Sequence, residues 1–313
     1  GRTAPRRRGA RTMAGTTTGV GRAELGRGGP LIAGQGLGCM RLEDATSDRV
    51  VRRALDLGVT FLDTAELYGD GRNEELVGRA LRGRREEAFL CTKGGVRRNA
   101  AGAPEPRGDA ASLRASCEAS LRRLGTDTVD LYYLHRRDPA VPVEESVGAL
   151  AALVAEGKVR HLGLSGVTAA ELRAAHAVHP VAALQSEWSL VARGIEAVVP
   201  VCVELGVTVV PYCPHGRGLI GPGLTASDAW VKWNAPRHTG LPSRMAAVAR
   251  RHGVSPHRIA LAWVHRRAEV WDLPVVPIPG TRAVRHLEEN AAAAALRLSA
   301  ADLALLDPRE EPA

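Results

Sequence analysis

From residue 46 onward one unit recurs along the chain: an amphipathic helix, a glycine, then a short strand rich in valine and leucine. Thr46 or Ser47 opens a helix whose apolar positions Val50, Val51, Ala54 and Leu55 share a face, and Gly58 ends it before a strand at 59–62. Residues 121–124, Gly125 and 129–134 repeat the pattern. So do 150–154, Gly157 and 159–164, and then 198–205, Gly206 and 207–210. A further helix at 74–81 leads through Gly83 to a strand at 88–92. Segments 181–185 and 275–278, with an opening strand near 32–37, bring the strands to eight.

Strands that alternate with helices lie parallel, because parallel neighbours need a long crossover and the helix supplies it. A doubly wound dinucleotide-binding sheet would carry G-x-G-x-x-G after its first strand. Here the stretch is Gly34-Gln35-Gly36-Leu37-Gly38-Cys39, with cysteine in the last position, and the acidic residue such a sheet needs about 20 residues on is missing, Asp63 lying further away. A single α/β domain folded as a (β/α)8 TIM barrel over residues 31–313 fits the strand count and a chain of 313 residues.

Charge adds little to the functional reading. The net charge is +8, from 42 basic and 34 acidic residues, and only Lys93, Lys158 and Lys232 among the basic residues are lysines. Arg2, Arg6, Arg7, Arg8 and Arg11 fall within the first twelve residues, which hold no acid, so most of the excess sits at one end. Residues 1–30 have almost no large apolar side chains and are expected to form a mostly disordered basic arm, with Met13 as an alternative start. A nucleic-acid partner is therefore not expected. Five widely spaced cysteines, with no C-x-x-C pair and no metal-ligand spacing, point to a reduced compartment and no metal site. With no apolar run of about 18 residues and no apolar signal segment, a cytoplasmic protein without a membrane partner is the expectation.

In such a barrel the chemistry lies at the carboxyl ends of the strands. Strand two ends in Asp63, with Tyr68 soon after; strand three ends in Lys93 and strand four in His135. Strand five gives Ser165, strand six Gln185 and Glu187, strand seven Tyr212, and strand eight Gly280, Thr281 and Arg282. Taken singly, each has a plain structural reading: a strand-end histidine, a turn tyrosine, strand-end punctuation. Together Asp, Tyr, Lys and His make a proton-donor assembly. A phenol with a pKa of about 10 is a poor donor near neutrality; an adjacent Lys93 ammonium would lower that value, and Asp63 would compensate the buried lysine. His135 would hold a substrate oxygen beside Tyr68.

These residues sit in stretches that resemble the aldo-keto reductase family: Phe61-Leu62-Asp63-Thr64-Ala65-Glu66-Leu67-Tyr68-Gly69, Asn73-Glu74-Glu75-Leu76-Val77-Gly78, Cys91-Thr92-Lys93, Asp130-Leu131-Tyr132-Tyr133-Leu134-His135 and Val276-Pro277-Ile278-Pro279-Gly280-Thr281. The likeness runs in order over about 31–307. It implies a TIM barrel that binds NADPH extended, a small-molecule carbonyl substrate, and Asp63, Tyr68, Lys93 and His135 as catalytic tetrad with Tyr68 as proton donor. It also implies Ser165 and Gln185 on the nicotinamide carboxamide, Tyr212 stacked on the ring, and Gly218 and Leu219 at the pyrophosphate. Thr281 and Arg282, at the start of the last helix, would take the 2′-phosphate, with Gly280 before them also on the cofactor, and Glu289 and Asn290 would meet the adenine. Non-catalytic channel subunits share this fold and tetrad, so a cofactor-binding regulatory subunit is the alternative that the resemblance leaves open.

The sequence departs from the family pattern at Cys213 and His215, where serine and leucine are usual, at His286, where arginine is common, and at Gly166, where asparagine is frequent. The segment 221–243 is shorter than usual and carries Trp230, Trp233 and His238, which either pin the loop or line a substrate pocket. Trp188 is expected at the mouth as a pocket wall, and Trp263 in the core.

Overall fold

A computed structural model of the protein describes residues 19–44, 46–218 and 240–307. An antiparallel hairpin, β1 (Arg22–Glu24) and β2 (Leu31–Ala33), precedes the first barrel strand, β3 (Gly36–Gly38). β4 (Phe61–Asp63) and β5 (Phe89–Gly94) follow, then a rim hairpin of β6 (Val96–Arg98) and β7 (Pro104–Pro106). β8 (Val129–Leu134), β9 (Val159–Ser165), β10 (Val181–Glu187) and β11 (Thr208–Tyr212) continue the barrel. The seven barrel strands pair in chain order and in parallel.

The eighth position is filled by residues 275–280, which bridge both edges of this sheet. Val276 and Ile278 donate their N–H groups to the carbonyls of Val209 and Pro211, at 2.9 Å each, while Pro277 and Pro279 accept from Gly36 and Gly38 at 3.0 and 3.3 Å. Prolines occupy the positions whose N–H would face β3, so half the ladder is missing there and the segment is a strand in place but not in hydrogen bonding. The ring is closed all the same, as the (β/α)8 reading requires.

Two boundaries differ from the sequence expectation. The opening strand near 32–37 is two strands, because the chain turns at Gly34, whose N–H bonds Gly21 O at 3.0 Å: Ile32 belongs to the hairpin and Leu37 to the barrel. Residues 19–30 are also part of the folded body rather than an arm. Leu25 is buried, Gly26 N–H donates to Thr208 Oγ1 at 2.8 Å, and Arg27 N–H donates to Gly206 O at 2.8 Å, so the hairpin caps the amino ends of the strands. Its few apolar side chains suffice because they plug a preformed opening. Residues 1–18 lie outside the described residues.

Helices cover the outside. They include α1 (Ser47–Asp56), α2 (Arg72–Ala80), α3 (Ala110–Leu124), α4 (Val143–Ala155), α5 (Ala169–Val178) and α6 (Val199–Leu205). α7 (Leu241–His252), α8 (Pro256–Trp271), α9 (Val284–Ala293) and α10 (Ala300–Leu306) complete the described set. Gly125 and Gly206 end α3 and α6 in the left-handed region, with φ of 67° and 69°, and turn the chain into β8 and β11. α2 and α3 touch closely at Gly78, where a Cβ would lie 2.5 Å from Leu124 O. None of the described helices is long and apolar enough to cross a membrane.

Candidate active site

The register of the barrel brings the tetrad together. Asp63 pairs with Cys91 and Lys93 with Tyr133, so Asp63, Lys93 and His135 each lie two residues further along successive strands and repeat on one face. Lys93 Nζ donates to Asp63 Oδ1, to Thr64 O at 3.0 Å and to Tyr68 Oη at 3.1 Å. The second Asp63 oxygen accepts from the Gln185 amide at 2.8 Å. Asp63 and Lys93 are each only 1% exposed.

Burial acts against both charges. It pushes the Asp63 carboxyl up, and Lys93 and Gln185 pull it back. Burial likewise acts to lower Lys93, but Asp63 and Tyr68 outweigh it and hold the ammonium above the ordinary lysine range. The pair is a buried ion pair whose donors and acceptors are matched.

Tyr68 lies on a turn that Glu66 N–H anchors to Lys93 O at 3.1 Å. Its ring stands edge-on to His135, with centroids 5.9 Å apart and planes at 88°. Burial pushes the phenol above its ordinary value of 10, more than Lys93 lowers it, and Asp63 adds to the rise. The expected net lowering is thus absent, and Tyr68 keeps its proton across neutral pH. Burial, then the charges of Lys93 and Arg136, push His135 down to about 3, so its ring is a neutral imidazole. The Cys39 thiol is pushed up to about 12 by burial and by Asp63, which leaves it an inert neighbour of the pair.

Two supports of this site have roles that sequence reasoning missed. Asn73 donates to the carbonyls of Cys39 and Leu42, both at 2.8 Å, and accepts from Thr64 Oγ1 at 2.6 Å, so it ties the ends of β3 and β4 to α2. Glu74, fully buried, accepts from Thr92 Oγ1 at 2.5 Å and from Arg123 at 2.6 Å, fixing the residue before Lys93. Their signal was present as the Asn73-Glu74 stretch, but its partners lie on other elements. Trp188 is also not a pocket wall: it is fully buried, with its indole N–H on Glu196 at 3.0 Å. Trp263 is core, as expected.

A second group of candidates lies at or after the ends of the later strands. Ser165 and Tyr212 end β9 and β11 half-buried. After Tyr212 the chain turns tightly, with Cys213, Gly216 and Arg217 all at positive φ, and Arg217 grips Glu187 through two hydrogen bonds of 2.8 and 3.0 Å. Gly218 ends that turn. Leu219 lies outside the described residues, as do Trp230, Lys232, Trp233 and His238. Gly280 bridges Gly38, and Thr281, nearly buried, accepts from Ala283 N–H at 3.1 Å just before α9. Arg282 is exposed, Glu289 half-buried and Asn290 buried. α9 is not the last helix, since α10 follows it. The first turn of α9 has no side-chain cap: His286 N–H bonds Ala283 O at 3.1 Å, and no side chain caps the N–H groups of Val284 and Arg285 before it.

An aldo/keto reductase family model matches residues 24–310, nearly the whole chain. The chain belongs to the aldo/keto reductase family. A probable aldo-keto reductase from Glycine max is 40% identical over 301 residues, 90% of this chain and 86% of that protein. Among solved structures, a holo-form aldo-keto reductase from Bacillus halodurans superposes with a TM-score of 0.80 at 27% identity, covering 92% of this chain and 95% of its own. An aldo-keto reductase from Klebsiella pneumoniae in complex with NADPH gives 0.75 at 31% identity, covering 93% and 95%. The family membership makes the protein an oxidoreductase and gives the matched positions of the mouth a common chemistry to be tested.

Proposed function

We propose that the protein is an NADPH-dependent carbonyl reductase whose barrel mouth converts an aldehyde or ketone to an alcohol, with Tyr68 as the proton donor. The carrying observation is the chain Asp63, Lys93, Tyr68, in which one buried ammonium bridges a carboxylate and a phenol at 3.1 Å. The family, and the aldo-keto reductases from Klebsiella pneumoniae solved in complex with NADPH and with NADP and acetate, support the cofactor.

The residues present fit a phosphate-bearing dinucleotide. The turn Gly216–Gly218 and the uncapped start of α9 present backbone donors, and Thr281 and Arg282 stand before that helix. Ser165 and Gln185 would hold a carboxamide, Tyr212 offers a ring face, and Gly218, Leu219 and Gly280 would border the phosphates. Glu289 and Asn290 would meet the adenine. When bound, NADPH supplies the hydride.

The residues of the chain supply the rest. His135, neutral, donates a hydrogen bond to the carbonyl oxygen and holds it next to the Tyr68 hydroxyl. Tyr68 gives up its phenolic proton as negative charge builds on that oxygen. Lys93 stabilises the phenolate that remains, and Asp63 keeps Lys93 charged and aimed. Alcohol oxidation runs through the same groups in reverse.

Purified protein mixed with NADPH and a panel of aldehydes and ketones should consume NADPH, followed by absorbance. Tyr68→Phe should reduce the rate by roughly 10²–10⁴-fold while still binding NADPH. Wild-type binding with no turnover on any carbonyl would favour the regulatory-subunit alternative. Equal rates for Tyr68→Phe and wild type would remove Tyr68 from the acid role.

A further inference from the structure

Between the β11 turn and α9 the chain gathers imidazoles that the proposed tetrad does not use. His215 sits on the turn with its Nε2 buried and without a hydrogen-bond partner. The ring of His257, near the start of α8, stands edge-on to it, with centroids 5.5 Å apart and planes at 79°. Arg41, on the loop after β3, and His286, in the first turn of α9, also act on it electrostatically. Among the described residues, the groups that act electrostatically on His215 are therefore all cationic or become so on protonation. Burial comes first, then those neighbours, in pushing His215 down to about 4, so the ring is neutral in the free protein.

A half-buried imidazole whose Nε2 is buried and unpartnered among cationic groups is a poor arrangement for a free protein and a good one for an anion. A phosphate placed against it would satisfy the orphaned nitrogen, offset the repulsion from Arg41, and favour the protonated ring. We infer that His215, with His257, His286 and Arg41 around it, forms a phosphate subsite in which dinucleotide binding is coupled to uptake of a proton. The inference rests on the NADPH reading above and adds a property to it: affinity should fall as pH rises. The sign separates this from the ligand's own ionisation. A phosphate monoester gains its second charge near pH ~6, which by itself makes binding tighter, not weaker, at higher pH.

Calorimetric titration of the intact protein with NADPH at pH 7, in two buffers of different ionisation enthalpy, counts the protons directly. Net uptake is expected, and Kd should rise by about threefold or more from pH 6 to 8. His215→Leu, and separately the exposed His286→Asn, should reduce the uptake and flatten the pH dependence. NADPH binding with no uptake, with proton release, or with uptake unchanged in both variants would overturn the coupling and leave the carbonyl-reductase reading intact. Failure of the wild type to bind NADPH at all would overturn both.

Discussion

Replacing Lys93 by methionine keeps the volume of the side chain and removes its charge, which separates the two things the ammonium does. The first is structural. Asp63 would remain in a site 1% exposed with one donor left, the Gln185 amide. Breaking a buried ion pair from one side costs about 3–5 kcal/mol, because the surviving charge is uncompensated. For a chain of this size that is a fall in Tm of roughly 6–10 °C. Asp63→Asn placed on top should recover at least half of the loss, since a neutral amide needs no counter-ion and can still meet Gln185. The single variant should also acquire a pH dependence. Burial favours the protonated carboxyl, so folded Lys93→Met binds more protons than the unfolded chain, where an aspartate titrates near ~3.9, and stability falls as pH rises. The variant should be less destabilised at pH 5 than at pH 8.

The second effect is on chemistry. Two unit charges 3.1 Å apart in a medium of effective dielectric constant about 20 interact by about 5 kcal/mol. Asp63 opposes part of that field, and the phenolate is only partly formed at the transition state, so a loss of about 10²–10³-fold in kcat is expected. Thermal unfolding by circular dichroism at the two pH values, with NADPH-linked turnover alongside, measures both. If Lys93→Met unfolded within about 1 kcal/mol of wild type, or if Asp63→Asn made it worse, the matched ion pair would be the wrong description of this core.

His135, at about 3, should produce no limb in kcat between pH 5 and 8 at saturating NADPH; a limb near 6–7 that disappears in His135→Asn would contradict its neutrality. Asn73→Ala leaves two carbonyls and a hydroxyl without their partner and should cost about 3 kcal/mol, read as a lowered Tm. Gly78→Ala should cost about 1–3 kcal/mol, because the new methyl meets the backbone of Leu124 rather than a movable side chain. Asp130→Asn removes the charged acceptor of Arg85, Arg160 and the Leu90 N–H; it should lower stability by about 2 kcal/mol and leave kcat within about twofold.

The barrel was legible because its units are local: a helix stripe, a terminating glycine and a strand each show within some fifteen residues. The cluster of Asp63, Tyr68, Lys93 and His135 was legible for a related reason, since each lies at or just after the end of a strand. What the sequence hid depends on contacts between distant segments. Nothing local tells that Gly26, next to the buried Leu25, bonds Thr208 at the foot of the barrel, or that Gly34 breaks one apolar run into two strands. Trp188 looked like a mouth residue from its place after β10, but the Glu196 carboxylate, half-buried, accepts its indole N–H and holds the ring inside. The direction of the Tyr68 shift was hidden too, because it depends on how fully the barrel wall excludes water from the phenol, and spacing carries no measure of that.

The contrast between Asp63 and Asp130 explains why a chain so rich in arginine keeps a lysine at residue 93. Both aspartates are buried, yet Asp130, the second residue of β8, takes two guanidinium groups that reach in from the surface, their side chains 23% and 59% exposed. A planar fork suits that end, where Arg85 and Arg160 each bring one terminal nitrogen to a carboxylate oxygen and keep part of the side chain in water. At the carboxyl end the three acceptors Asp63 Oδ1, Thr64 O and Tyr68 Oη surround a single point. An ammonium donates in three directions from one atom and fits there; a guanidinium spreads its donors over a plane and would have to push Tyr68 or Asp63 aside. The same compactness puts the full positive charge 3.1 Å from the Tyr68 oxygen, the proton donor of the proposed reaction. Arginine would therefore fail at this position through geometry before charge came into question.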